Sequence, residues 1–315
     1  MQYFLSLLVY AITCTALALT RRAPTPGQFS QVTDFGDNPT NVGFYIYVPQ
    51  NLAPKPAIIV AIHFCEGTAE AYYAVTPHAQ YAETYGFIVI YPQSPYSDRC
   101  WDVSSQRSLS HKGDGNSHSI VNMVIWTTKQ YHADTSRVFV TGTSSGAMMT
   151  NVLAATHPKL FAAGISYSGV PAGCYYSEAN DEDRWNFTCA NGQSISASKH
   201  WAHIAKQMYP GYEGPRPRMR IYHGSNDTTI YPQNYYETCK QWAGVFGHDY
   251  DNPRKVLNDT PLSNWHKTIW GKDLQGIWAN GVGHTMEIQG EEDMEWFGFT
   301  KCANSKNENC PGVPK

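Results

Sequence analysis

Residues 137–155 read RVFVTGTSSGAMMTNVLAA, and no other stretch limits the fold as tightly. An apolar, β-branched run at 137–141 enters Gly142-Thr143-Ser144-Ser145-Gly146, and a stretch with helical character leaves it. A Gly-x-Ser-x-Gly between strand and helix is a sharp, strained turn, where side chains two positions either side of the serine would strike neighbouring backbone. The turn lifts the Ser144 hydroxyl to the N-terminus of the following helix, where the dipole and free N–H groups favour developing negative charge. Ser145 is a rival nucleophile, but it lies off the symmetric glycine spacing.

The rest of the chain supplies a matching frame. Strands are expected at 42–48, 57–63, 86–91, 137–141, 163–167, 219–223 and 276–279. The run Ile58-Ile59-Val60-Ala61-Ile62 is apolar without alternation, as in a strand covered on both faces. Helices are expected from a cap at Asn116 or Ser117 to Tyr131, from Ser144 through Ala155, and over 291–297. Strands alternating with helices predict an α/β fold of one domain, with a mainly parallel central sheet and helices on both faces.

A serine nucleophile of this kind needs an acid and then a histidine, in that chain order, each just past a strand end. MRIYHGSND at 219–227 ends a strand at a glycine and places Asp227 directly after it. GIWANGVGH at 276–284 does the same for His284, with glycines that let the loop bring the imidazole over the sheet edge. His284 would take the serine proton, and Asp227 would fix the tautomer and stabilise the imidazolium. Asp249, Asp251, Asp259 and Asp273 also lie between serine and histidine, but none follows a strand–glycine turn. An oxyanion formed at Ser144 needs two N–H donors: the Ser145 amide, and one from the loop after the 57–63 strand, where Cys65 is the candidate. His63 is read as a hydrogen-bonding partner of that loop's backbone, and the Cys65 side chain as structural.

Composition excludes other chemistries. A formal charge of -3 and only 16% charged residues give no electrostatic case for nucleic acid. There is no C-x-x-C and no H-E-x-x-H, so no metal is expected, nor any cofactor. Residues 1–18 form an uncharged apolar run ending in Ala16-Leu17-Ala18, the pattern of a signal peptide rather than of a membrane anchor. Residues 19–22 would be a propeptide ending at Arg21-Arg22, 23–299 the catalytic domain, and 300–315 a polar tail. A secreted chain keeps disulfides; seven cysteines follow the signal, and Cys174–Cys189 and Cys65–Cys100 are the expected pairs. Sequons stand at Asn186, Asn226 and Asn258. Asn186 and Asn258 are glycosylation candidates, while a glycan at Asn226 would obstruct Asp227.

The segments AIHFC (61–65), CWDVSS (100–105), SIVNMV (119–124), VTGTSSGAMMTNV (140–152), YSGVPAGC (167–174), HGSND (223–227) and GVGH (281–284) resemble, in order, the fungal acetylxylan esterases of the first carbohydrate-esterase family. The resemblance spans roughly residues 29–299 and extends to feruloyl esterases and polyhydroxybutyrate depolymerases. It implies an α/β-hydrolase fold, a secreted monomer without cofactor, and removal of acetyl groups from xylan. Its triad falls on Ser144, Asp227 and His284, and its oxyanion donors on Cys65 and Ser145. Phe64 departs from the glycine of distant relatives, and Trp101 is the candidate platform for a xylose ring. Feruloyl ester hydrolysis is the alternative, since an acetyl pocket and a long aromatic slot differ only in shape. A serine peptidase would share the triad, but no extra domain or acidic pocket for the substrate amine is evident. A catalytically dead binding protein would not need all three residues in context.

Overall fold

The computed structural model describes residues 24–300. The leader at 1–18, the 19–22 segment and the tail beyond Thr300 lie outside the described residues. In chain order the elements are β1 (Phe29–Val32), β2 (Gly43–Tyr47), β3 (Ile58–Ile62), α1 (Ala69–Val75), α2 (His78–Tyr85), β4 (Ile88–Gln93) and α3 (Asn116–Tyr131). There follow β5 (Val138–Thr143), α4 (Ser145–Thr156), β6 (Ala163–Tyr167), α5 (Phe187–Ala190), α6 (Ser198–Gln207) and β7 (Arg218–Gly224). The chain continues through α7 (Gln233–Phe246), β8 (Lys255–Asn258), β9 (Trp265–Ile269), β10 (Leu274–Ala279) and α8 (Gly290–Phe297).

One sheet holds all ten strands in the order β1-β2-β4-β3-β5-β6-β7-β10-β9-β8. The six central strands run parallel, and antiparallel pairs close both margins. The unbroken apolar run of β3 is explained by its pleat. Ile58, Val60 and Ile62 point into one core with α3, α4, α6 and α7, while Ile59 and Ala61 point into a second core with α1, α2 and α8. Helix α4 is buried along its whole length, which accounts for its lack of any charged face.

All seven expected strands are present, within about three residues at each end. Strands β1, β8 and β9, and helices α1, α2, α5, α6 and α7, were not anticipated. They sit at the margins or on the surface; β8 (KVLN) is exposed at three of four positions and carries no core-facing signal. The expected caps of α3 are corrected. Gly115 is the cap, and Asn116 and Ser117 lie inside the first turn, both buried. Their side chains are taken by the neighbouring loop: Asn116 Oδ1 accepts from the Asp102 N–H (3.0 Å), and Ser117 Oγ donates to the Ser108 carbonyl (2.7 Å).

Both expected disulfides form, Cys65–Cys100 and Cys174–Cys189, and Cys239 is a buried free thiol. Among the described residues no helix is long and apolar enough to cross a membrane. The Cys174–Cys189 bond spans 15 residues. Replacing both cysteines by serine should lower unfolding free energy by about 3 kcal/mol, through the freed entropy of the unfolded chain. Urea unfolding of the variant beside the parent protein measures this directly.

Candidate active site

Parallel strands present their carboxyl ends along one edge, and there the nominated residues meet. Ser144 follows β5, Asp227 follows β7, His284 follows β10 and Cys65 follows β3. Ser144 has φ 56° and ψ −121°, a left-handed backbone that a serine adopts only when its surroundings impose it. Two constraints impose it. The Ser144 N–H donates to the Tyr167 carbonyl on β6 at 2.8 Å. The flanking glycines let α4 start against β3: a Cβ on Gly146 would lie 2.1 Å from the Ile62 carbonyl oxygen, and one on Gly142 2.4 Å from the Gly146 oxygen.

The three side chains form a line of hydrogen bonds. His284 Nε2 is 2.9 Å from Ser144 Oγ, and His284 Nδ1 is 2.8 Å from Asp227 Oδ2. Asp227 Oδ1 accepts from the Thr229 and Ile230 N–H groups, each at 2.9 Å. Its Oδ2 also lies 3.3 Å from Nε2 of the fully buried His223. Burial alone would raise the Asp227 pKa, but hydrogen bonds from His223 and His284 outweigh it and hold the carboxyl well below the usual range. It is therefore an anion, and the adjacent imidazole nitrogen carries the proton, leaving Nε2 free to accept one from Ser144. Gly224 makes the approach possible, since a Cβ there would lie 2.3 Å from the Val282 carbonyl of the histidine loop.

Neither the Cys65 N–H nor the Ser145 N–H has a partner among the described residues. Ser145 directly follows Ser144 at the start of α4, and Cys65, in the loop after β3, lines the same cleft as Ser144. The loop bearing Cys65 is fixed from below. His63, fully buried, donates from Nδ1 to the Phe64 carbonyl (2.7 Å) and accepts at Nε2 from the Ser94 N–H (3.1 Å). Burial pushes its pKa down to about 4, so the ring is neutral. Ser145 Oγ accepts from the Trp101 N–H at 2.7 Å, so this second serine is committed to holding the 100–108 loop.

The platform expected of Trp101 is corrected. Trp101 is 1% exposed, with its indole N–H donating to the His63 carbonyl (2.8 Å), and so backs the oxyanion loop from inside. Sequence reasoning missed Trp185, which is 38% exposed and lines the cleft above Ser144. The signal was weak, since the loop between Cys174 and Cys189 also carries Tyr175, Tyr176 and Phe187. The cleft encloses about 1660 Å³ and is bordered by Phe64, Trp185, Leu262 and Glu291. A second, much smaller cavity of about 20 Å³ adjoins the oxyanion loop, walled by Cys65, Ser145, Met148, Tyr175 and Trp185. Asp98, Cys100 and Asp183 also lie within metal-ligand reach of one another, but the Cys100 sulfur is committed to its disulfide. Asn258 is exposed on β8, whereas Asn186 caps α5 with its Oδ1 on the Cys189 N–H (3.0 Å). Asn226 is exposed although its neighbour Asp227 is buried.

A sequence profile described as "Esterase PHB depolymerase" matches residues 42–242. The chain belongs to the esterase PHB depolymerase family. Within that family it is 75% identical over 300 residues to acetylxylan esterase A of Emericella nidulans, across 95% of this chain and 99% of the relative. It is 64% identical over 303 residues to acetylxylan esterase A of Aspergillus oryzae, again across 95% and 99%. The solved acetyl xylan esterase from Aspergillus awamori shares 66% identity and superposes with a TM-score of 0.86, covering 87% of this chain and all of that one. The serine hydrolase FphF of Staphylococcus aureus shares the α/β-hydrolase fold alone, at 15% identity and a TM-score of 0.52, over 89% of this chain and 100% of its own. This member of the esterase family is an ester hydrolase with an α/β-hydrolase fold.

The glycine contacts give a local test. Gly146→Ala should destabilise by about 3 kcal/mol or more, the upper end of overpacking, because the obstacle is backbone. Gly283→Ala, whose Cβ would meet nothing closer than 3.9 Å, should stay within about 0.5 kcal/mol. Comparing the two by urea unfolding separates a packing requirement at Gly146 from general glycine content.

Proposed function

We propose that this chain removes acetyl groups from acetylated xylan, through an acetyl-enzyme formed on Ser144. The observation that carries the reading is the unbroken Ser144–His284–Asp227 line at the floor of a large open cleft. Ser144 Oγ attacks the acetyl carbonyl while His284 Nε2 takes the hydroxyl proton. The carbonyl oxygen, now an anion, is met by the Cys65 and Ser145 N–H groups, each worth roughly 3–4 kcal/mol when well placed. The imidazolium then gives its proton to the departing xylan hydroxyl, and acetate is freed when a water, deprotonated by the same nitrogen, attacks the acetyl-enzyme.

Shape argues for acetyl over feruloyl. Behind Cys65 and Ser145 only about 20 Å³ is free, closed in by Trp185, Tyr175 and Met148, so that side offers no slot for an aromatic acyl group. The leaving-group side is the wide cleft, where Trp185 offers an exposed ring face to a sugar. Glu66, Asp98, Glu287, Glu291, Glu292 and Glu295 line that cleft and no Lys or Arg does, which disfavours an anionic substrate and leaves an uncharged stretch of polysaccharide admissible. The similarity to proteins named acetylxylan esterase A points the same way.

Export is part of the same proposal. Cleavage after residue 18 and at Arg21-Arg22 would leave a catalytic domain from Ala23 to Phe299, acting outside the cell as a monomer. Two disulfides suit an oxidising compartment.

On acetylated xylan, Ser144→Ala should reduce kcat by about six orders of magnitude, measured as acetate release. The parent enzyme should turn over methyl ferulate far more slowly than the acetylated polymer. Comparable activity in the alanine variant would remove Ser144 as nucleophile. A ferulate preference would keep the mechanism and change the substrate.

A further inference from the structure

Beneath the active site lies a carboxyl group that the mechanism above does not use. Asp293, in the first turn of α8, is fully buried. Its Oδ1 accepts from the Tyr167 hydroxyl at 2.8 Å, and its Oδ2 has no partner. Tyr167 is itself engaged from several sides. Its carbonyl receives the Ser144 N–H, its hydroxyl accepts the Gln289 N–H at 3.0 Å, and its ring stacks on Tyr222 with centroids 4.3 Å apart. Gln289 ends the loop that begins with His284, and its carbonyl accepts the Asp293 N–H at 2.9 Å.

We propose that Asp293, through Tyr167, is the positioning residue that holds the His284 loop in register with the Ser144 turn. The nucleophile and the base sit on different strands, and Tyr167 touches both: its backbone holds Ser144, and its side chain holds Gln289 and Asp293. This inference rests on the triad reading of Ser144 and His284.

The surroundings of Asp293 favour its neutral form. Tyr167 and Tyr222 face Asp293 from β6 and β7, Tyr72 and Tyr81 from α1 and α2, and Glu292 from its own helix. Arg220 on β7 is the cation in reach, but its Nη1 is engaged by the Glu292 carbonyl (2.6 Å) and its Nε and Nη2 by Gln275. Lys267 on β9 is likewise committed to Glu292. Burial therefore dominates and raises the Asp293 pKa to about 8, against the pull of the Tyr167 bond and of Arg220. Above that pH the site would hold an uncompensated anion, which a dry core tolerates only by admitting water or by moving. The segment free to move is the start of α8, and Gln289 and the His284 loop move with it.

The sign for stability follows from linkage. The folded chain keeps the Asp293 proton up to about pH 8, whereas the unfolded chain releases it near ~3.9. Stability from this group is thus lost as pH rises between those limits and is level above them.

The test uses the mature enzyme with a small soluble acetyl ester, kcat and KM being read from pH 6 to 10 for Asp293→Ala, Asp293→Asn and Tyr167→Phe. Asp293→Ala and Tyr167→Phe should lose about 100-fold in kcat with KM little changed, as expected of a base displaced by about 1 Å. Asp293→Asn, which preserves a neutral acceptor for Tyr167, should restore most of the loss. It should also abolish the parent's decline centred near pH 8 and flatten the fall in Tm between pH 5 and 8. Identical pH profiles for parent and Asp293→Asn, or full kcat in Asp293→Ala or Tyr167→Phe, would overturn the proposal. Ser144→Ala run alongside separates the two readings: an inactive Ser144→Ala with normal Asp293 variants refutes this inference alone.

Discussion

The distance between α4 and β3 governs the rest of the site. Gly146 lies so close to the Ile62 carbonyl that no side chain fits, and Gly142 is pressed in turn against Gly146. This contact fixes where α4 begins, and so where the Ser145 N–H points. It also tightens the turn until Ser144 is forced to φ 56°, a conformation that the Tyr167 carbonyl then holds through one hydrogen bond. The same carboxyl end of β3 leads into His63 and Cys65, so the Cys65 and Ser145 N–H groups take their positions from one close approach. A longer side chain at Gly146 would displace Ser144 and both N–H groups together, which is why the site depends on packing before it depends on charge.

Charge is the second layer, and burial sets it differently for three groups within one region. His63 is neutral because it is buried and meets a carbonyl and an amide, with no anion beside it. Asp227 is ionised although buried, because two histidines and two amides converge on it. Asp293 is buried with a single tyrosine hydroxyl and keeps its proton. The number and type of donors decide each case, since desolvation alone would neutralise all three.

Much of this was legible in sequence, for identifiable reasons. The motif at 142–146, the strand–glycine turns before Asp227 and His284, and the apolar β3 run are all local, and local patterns survive without knowledge of partners. The likeness to acetylxylan esterases was readable from short segments spread along the chain, and the close relatives bear it out. What escaped was set by distant contacts. Strand β8 forms because β9 offers an edge to pair with, and its own residues are mostly exposed. Trp101 and Trp185 could not be told apart by type. Only the tertiary placement shows the first locked under His63 and the second left open to the cleft. Asp293 looked like one of several acids opening a helix, with nothing local to show that β6 would bury it.

The two sides of the cleft differ in stiffness, and that difference bears on selectivity. On the Cys65 side, Cys65 is bonded to Cys100, Trp101 is pinned to Ser145 and His63, and Asp102 gathers the loop beyond. Its carboxylate accepts from Ser104, Ser105 and Ser108, and from the Asp183 N–H of the segment that leads to Trp185. Any displacement of this loop must break several of these bonds together. Elsewhere the borders of the cleft are exposed side chains such as Val75, Leu262 and Glu291. For the proposed ester, discrimination is therefore expected to be sharp for the part that meets the Cys65 side and permissive for the part that meets the exposed border. Packing, rather than any single recognising residue, separates the two.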